Sequence, residues 1–233
     1  MNSAELVRLF RKDMADETLP PLWSDEEIYG YADTAQKTFA RETGGIADST
    51  TQDLTQISVD VAATTFPFSS KILKISGAYR VSDGRPVEVV NYADMTQRGI
   101  RFDGRTGPIE AIVIGMDAAV AYFYPVPSVA DTLQLMVDRL PLLTLVFSSP
   151  NQALEIDEHH HRHLLLGMKE LAYGKQDAET FDKSKAKEFG DAFEQYCFKA
   201  KLERDRVRHK KRVVAYGGIP MQPGFISRSS RYY

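Results

Sequence analysis

The spacing of apolar residues changes twice along this chain, from helical to alternating and back, and that double switch limits the possible folds more than any other feature. Up to about residue 51 the spacing is helical. Asn2 with Glu5 three positions later reads as a helix N-cap pair, and Leu6, Leu9 and Phe10 recur at helical spacing to about Met14. The run Thr18-Leu19-Pro20-Pro21-Leu22 ends that helix, because proline supplies no N–H for an interior turn. Ser24-Asp25-Glu26-Glu27 then reads as a capping box with an acidic first turn, suited to the positive end of a helix dipole. Ile28, Tyr31, Ala32, Ala35 and Phe39 share one face of the second helix, and Gly44-Gly45 is its stop.

From about Asp53 the period becomes two. Leu73, Ile75, Gly77, Tyr79 and Val81 alternate with Lys74, Ser76, Ala78 and Arg80, which predicts a half-buried strand. Asp83-Gly84 follows and Val87 and Val89 resume the beat, so a hairpin is expected. Further strands are predicted at Ile57–Ala62, Gly99–Phe102, Ile109–Ile114, Val120–Tyr124 and Thr132–Arg139. No helix of normal length is read between them, so the sheet should be mostly antiparallel.

Helical spacing returns near Ile156. Leu164, Met168 and Leu171 form a stripe ending at Gly174, and a long helix is predicted from about Ala178 to Arg212, supported by Glu179 and Lys183 at i,i+4. Phe181, Phe189, Phe193, Tyr196 and Ala200 make its apolar seam. Its second half is rich in charge, and we expect that half to leave the monomer core and pack on neighbours. Tyr216 to Tyr233 has three glycines, two prolines and no periodicity, so on its own it should be extended or disordered. The expected fold is therefore α+β. Residues 1–51 and 151–215 would form a helical domain, 52–150 an inserted, mostly antiparallel β-sandwich or barrel-like domain, and 216–233 an extended arm.

The bulk numbers narrow the function only slightly. Lys plus Arg is 29 and Asp plus Glu is 32, a formal net charge of −3, so any nucleic-acid signal must be local. The one cysteine, Cys197, can form no intrachain disulfide, and no signal-peptide core or membrane-length apolar run is read. Folding in a cytoplasm, with no membrane partner, is the expectation.

Candidate chemistry is sparse. Glu158-His159-His160-His161-Arg162-His163 would place His159 and His163 on one helical face, a spacing able to hold zinc, but the HExxH pattern is missing and consecutive histidines splay around a helix. The favoured reading has His160 and His163 half-buried or at an interface, the other histidines solvated, and no metal bound. Lys199 to Arg212 is basic, yet its charges point all round a helix, which reads as a solvated or interface segment rather than a DNA-reading face. Phosphate-loop and nucleophile-elbow motifs are absent, and Cys197 reads as a packing residue. No pair of carboxylates is singled out. The chain is expected not to be an enzyme and to carry no cofactor.

Three stretches, in order, resemble a known family. The first is Leu22-Trp23-Ser24-Asp25-Glu26-Glu27-Ile28 with the helix that follows. The second is Tyr124-Pro125-Val126-Pro127 with Leu133-Gln134-Leu135 and Arg139-Leu140-Pro141. The third is Leu171-Ala172-Tyr173, Asp177-Ala178-Glu179, Lys185 to Phe193, and Arg212 to Ile219. Together they look like the head-to-tail adaptors of tailed phages, in particular the portal-docking connectors or tail accessory factors of short-tailed phages. The resemblance covers most of the chain.

It implies a virion protein at the head–tail interface, made in the host bacterial cytoplasm. It implies a ring of identical subunits, commonly twelve, that extends the DNA channel beneath the portal and offers the attachment site for a tail nozzle or tube protein. On this reading the arm docks on the portal, and its anchors are Tyr216, Ile219, Phe225, Ile226, Arg228, Arg231, Tyr232 and Tyr233. Arg204, Arg206, Arg208, Lys210, Lys211 and Arg212 face a neighbouring subunit or the channel, with only transient, non-specific contact with passing DNA. The alternatives are another tail-completion protein of the virion, a cell-wall hydrolase using carboxylates, or a DNA-binding module using the basic helix.

Overall fold

The computed structural model describes residues 1–97, 99, 104–177 and 180–208. In chain order the elements are α1 (Ser3–Asp13), α2 (Asp25–Glu42), β1 (Ile46–Asp48), α3 (Gln52–Thr55), β2 (Gln56–Val59), β3 (Thr65–Pro67), β4 (Ile72–Arg80), β5 (Pro86–Asn91), α4 (Tyr92–Gln97), β6 (Thr106–Gly107), β7 (Ala111–Asp117), β8 (Val120–Tyr124), β9 (Val126–Pro127) and β10 (Asp131–Arg139). A 3-10 turn (Glu158–His163), α5 (Leu164–Gly174) and α6 (Lys183–Arg208) follow. The protein is α+β, with helices beside a curled mixed sheet that forms a half-barrel.

Both capping boxes form as the sequence predicts. The Asn2 carboxamide accepts from Glu5 N while the Glu5 carboxylate accepts from Asn2 N, and Ser24 and Glu27 exchange the same pair of bonds. Between α1 and α2, the buried Asp16 takes the Arg11 guanidinium at 2.6 Å and the Leu22 N–H at 2.6 Å. This holds the proline-containing bend so that Trp23 enters the core edge-on to Phe10 and Tyr173, at 5.9 and 6.5 Å between ring centroids. The helical core joins both ends of the described chain: Leu6, Phe10, Ile28, Ala32 and Phe39 meet Leu164, Met168, Phe193 and Cys197.

α6 begins at Lys183 rather than near Ala178. Asp182 accepts the Ser184 and Lys185 N–H groups, the way a short acidic side chain starts a helix. Phe181 therefore precedes the helix and is 50% exposed, off the predicted seam. Phe193 is buried mainly against α5, where Gly167 makes room for it. A Cβ there would fall 2.8 Å from the Phe193 ring. Ala178 and Glu179, and everything from His209 onward, lie outside the described residues.

The sheet runs β1-β10-β4-β5-β7-β8-β3, and β2 also pairs with β10. β10 is its spine. One edge is shared by β2 at Asp131–Gln134 and by β1 at Val137–Arg139, while the other carries β4. Most pairings are antiparallel, but β5 and β7 run parallel, their crossover containing α4, and β6 and β9 are also parallel. The predicted strand at 99–102 falls largely outside the described residues, with Gly99 in a turn.

The expected alternation on β4 does not hold. Register shifts against β10 leave Leu73 and Ser76 as extra residues, so the buried positions are Ile72, Ile75 and Ala78, three apart, and then Arg80. Leu73, Tyr79 and Val81 are exposed instead. A bulge inserts a residue without a partner and reverses the face of those beyond it. The second core, under the curled sheet, is built from Val59, Phe66, Ile75, Ile112, Phe123, Leu133 and Leu135.

Candidate functional site: the charged end and outer face of the long helix

The seam of α6 does not stop at Ala200. One helical turn further lies Arg204, and one turn beyond that Arg208, both on the side facing the sheet. They converge on Asp138 of β10, a carboxylate only 2% exposed. Arg204 Nη2 donates to it at 2.8 Å, Arg208 Nη1 and Nη2 at 2.9 and 2.7 Å, and the bulged Ser76 hydroxyl at 2.8 Å. Arg204 Nη1 also donates to the Thr43 carbonyl. Burial acts to raise the Asp138 carboxyl, but the Arg208 and Ser76 hydrogen bonds and the two guanidinium charges outweigh it and hold the group below its ordinary value.

Gly44-Gly45 makes this approach possible. Both residues have positive φ, a Cβ on Gly44 would meet Arg204 Nη1 at 2.9 Å, and one on Gly45 would meet the Asp138 and Arg139 backbone at 3.0 Å. Next along β10, Arg139 bonds Asp48 at 2.6 Å and Glu155 at 2.5 Å. Burial acts to raise Asp48 too, but Thr51, Arg139 and the Thr50 and Thr51 N–H groups prevail and push it well below the carboxylate range. The acidic side chains gathered here thus neutralise arginines at the helix–sheet junction.

The predicted interface residues divide accordingly. Arg204 and Arg208 lie in the Asp138 junction of their own chain. Arg206 is exposed on the opposite side of α6. Lys210, Lys211 and Arg212 lie outside the described residues, as do Tyr216, Ile219, Phe225, Ile226, Arg228, Arg231, Tyr232 and Tyr233.

The sequence reading missed two residues on the outer face. Phe198 is 61% exposed and Leu202 41% exposed. With Arg206 they stand at i, i+4 and i+8, a ridge directly opposite the buried seam. The signal was present as a second helical stripe out of phase with Phe193, Cys197 and Ala200.

The histidines sit in a 3-10 turn, not an α-helix, and this changes which of them meet. His163 stacks on Tyr196 at 3.7 Å between centroids rather than facing out with His159. His159 folds against His160, 3.8 Å between centroids, so these consecutive rings approach instead of splaying. His160 and His163 are half-buried as expected, and burial holds both below the ordinary imidazole value. His161, expected to be solvated, is instead buried, because its Nε2–H donates to the Ile156 carbonyl at 2.8 Å inside the turn. Cys197 is buried in the seam, and burial pushes its thiol up to about 12.

Among the described residues, no helix is long and apolar enough to cross a membrane. A family model described as SU10 adaptor protein matches residues 1–214. A comparison with curated proteins finds no match.

Proposed function

The chain belongs to the SU10 adaptor protein family, a phage head-to-tail adaptor family, and from that premise we propose that it forms a homo-oligomeric ring, of twelve subunits, beneath the portal of a tailed phage. The ring extends the DNA channel and gives a tail nozzle or tube protein its attachment site. The partners are then the portal, the tail protein and further copies of the chain, in the virion. Residues 1–51 and 151–215 serve as the ring-forming unit, 52–150 as the inserted β unit, and 216–233 as the arm that docks on the portal.

The observation that carries this reading is the ridge of Phe198, Leu202 and Arg206. A long helix that buries one face in its own core and leaves apolar side chains on the other has a surface suited to a neighbour. A contact between this ridge and a different face of the next subunit is heterologous, and such contacts close into a ring when the rotation permits. Arg204 and Arg208 support the assembly from within by fixing α6 to β10, while Arg206, Lys210, Lys211 and Arg212 are left for the neighbour or for passing DNA phosphates.

Replacing Phe198 and Leu202 with Glu tests this. Both side chains are exposed, so the melting midpoint should stay within a few degrees of the wild type. Ring formation on assembled portal should be lost. Full ring yield from the double variant would refute the ridge as the subunit contact.

A further inference from the structure

An open groove of about 500 Å³ lies between α2, α6 and the 3-10 turn. Asp157, His159 and His160 stand on its wall, and one ligand atom from each lies within 4.8 Å of the other two. The turn itself gathers them. The Asp157 carbonyl accepts the His160 N–H at 3.0 Å, which folds the chain back and brings the two imidazoles beside the carboxylate.

One of these imidazoles is held in place. The Phe39 ring lies 4.7 Å from that of His160, and the Tyr196 hydroxyl lies 2.8 Å from His160 Nδ1. With Nδ1 engaged, Nε2 is the nitrogen left to bind a metal. An imidazole oriented through its other nitrogen is the usual arrangement for a metal-ligating histidine. Glu203 reaches the same groove from α6, while the Glu155 carboxylate in the lining is taken up by Arg139 and the Leu142 and Leu143 N–H groups. The arginines that also line it, Arg204 and Arg208, direct their guanidinium groups onto Asp138.

We propose that Asp157, His159 and His160 form a binding site for a divalent transition-metal ion of the zinc class, with Glu203 or water completing the coordination. Two imidazoles and a carboxylate suit zinc, cobalt or nickel, whereas calcium and magnesium take oxygen ligands. Zinc–ligand bonds of about 2.0–2.1 Å put tetrahedral ligand atoms roughly 3.4 Å apart. Asp157 and His159 are exposed, so small side-chain rotations can close the set around the fixed His160. With Glu203 as the fourth ligand, a bound ion would join the turn entering α5 to α6.

The test is zinc titration of the full, untagged, chelator-treated chain by calorimetry, with cobalt absorption as a second readout and melting curves with and without zinc. One saturable site is expected, with a raised melting midpoint. His159→Ala and Asp157→Asn, both at exposed positions, should fold as shown by circular dichroism and lose the site. Tyr196→Phe keeps the ring packing and should weaken zinc binding by about tenfold or more. Magnesium in excess should not compete. Absence of a saturable site in the wild-type chain, or equal zinc affinity in wild type, His159→Ala and Asp157→Asn, would overturn the proposal.

Discussion

Asp138→Asn should destabilise the protein even though Asp138 belongs to none of its hydrophobic cores. The wild-type carboxylate receives Arg204, Arg208 and Ser76 while almost fully buried. Removing one partner of a fully buried ion pair costs about 3–5 kcal/mol, because the remaining charge is left without compensation. The Arg204 and Arg208 side chains are 20% and 33% exposed, so water recovers part of that loss. About 2–3 kcal/mol is the expected result, or roughly 5–10 °C in melting midpoint for a chain of this size. The pH dependence has a defined sign. The folded Asp138 carboxyl lies below its ordinary value of 3.8, so its contribution is complete above that value and is lost as pH falls through the folded value. Urea titrations followed by circular dichroism should show a constant gap between wild type and variant from pH 8 to 5, narrowing below about pH 4. An unchanged midpoint at pH 7, or a gap that persists in acid, would refute the junction as described.

Further outcomes follow from the same structure. Phe193→Ala should cost about 3–5 kcal/mol, read from the denaturant midpoint, because the ring fills the space above Gly167. The converse change, Gly167→Ala, presses a methyl into that ring and should cost about 1–3 kcal/mol in the same assay. Cys197 is buried with its thiol pushed up to about 12, so an aromatic disulfide reagent at pH 8 should label it only after denaturant unfolds the chain. A chain ending at Ala215 should keep its melting midpoint, since both described cores use residues no later than Ala200. It should lose co-sedimentation with portal if the arm supplies the docking contacts.

The features legible in the sequence are those set by local chemistry. Asn2 with Glu5 and Ser24 with Glu27 cap helices through bonds spanning three residues, so spacing alone reveals them. The strands Val120–Tyr124 and Asp131–Arg139 carry enough alternation or continuous burial to be read nearly to the residue. What escaped depends on partners far along the chain. Ser76 looks like one step of an alternating strand until β10 is laid beside it and the register shifts. Parallel pairing of β5 with β7 through a crossover that includes the short α4 leaves no periodic signature. Arg204 and Arg208 read as part of a charge cluster pointing everywhere, because the carboxylate they meet lies 66 and 70 residues away in sequence. The histidine pairing failed for a different reason. A 3-10 turn has fewer residues per turn than an α-helix, so the i,i+4 rule brings the wrong rings together.

Sedimentation velocity of the full chain, alone and mixed with assembled portal, tests the adaptor account most directly. The account predicts a monomer of 26.2 kDa on its own, since one ridge contact is weak. On portal it predicts a saturating complex with one copy of the chain per portal subunit, appearing as an added ring in electron micrographs. A chain that still sediments at 26.2 kDa beside assembled portal, with no added ring, would contradict it.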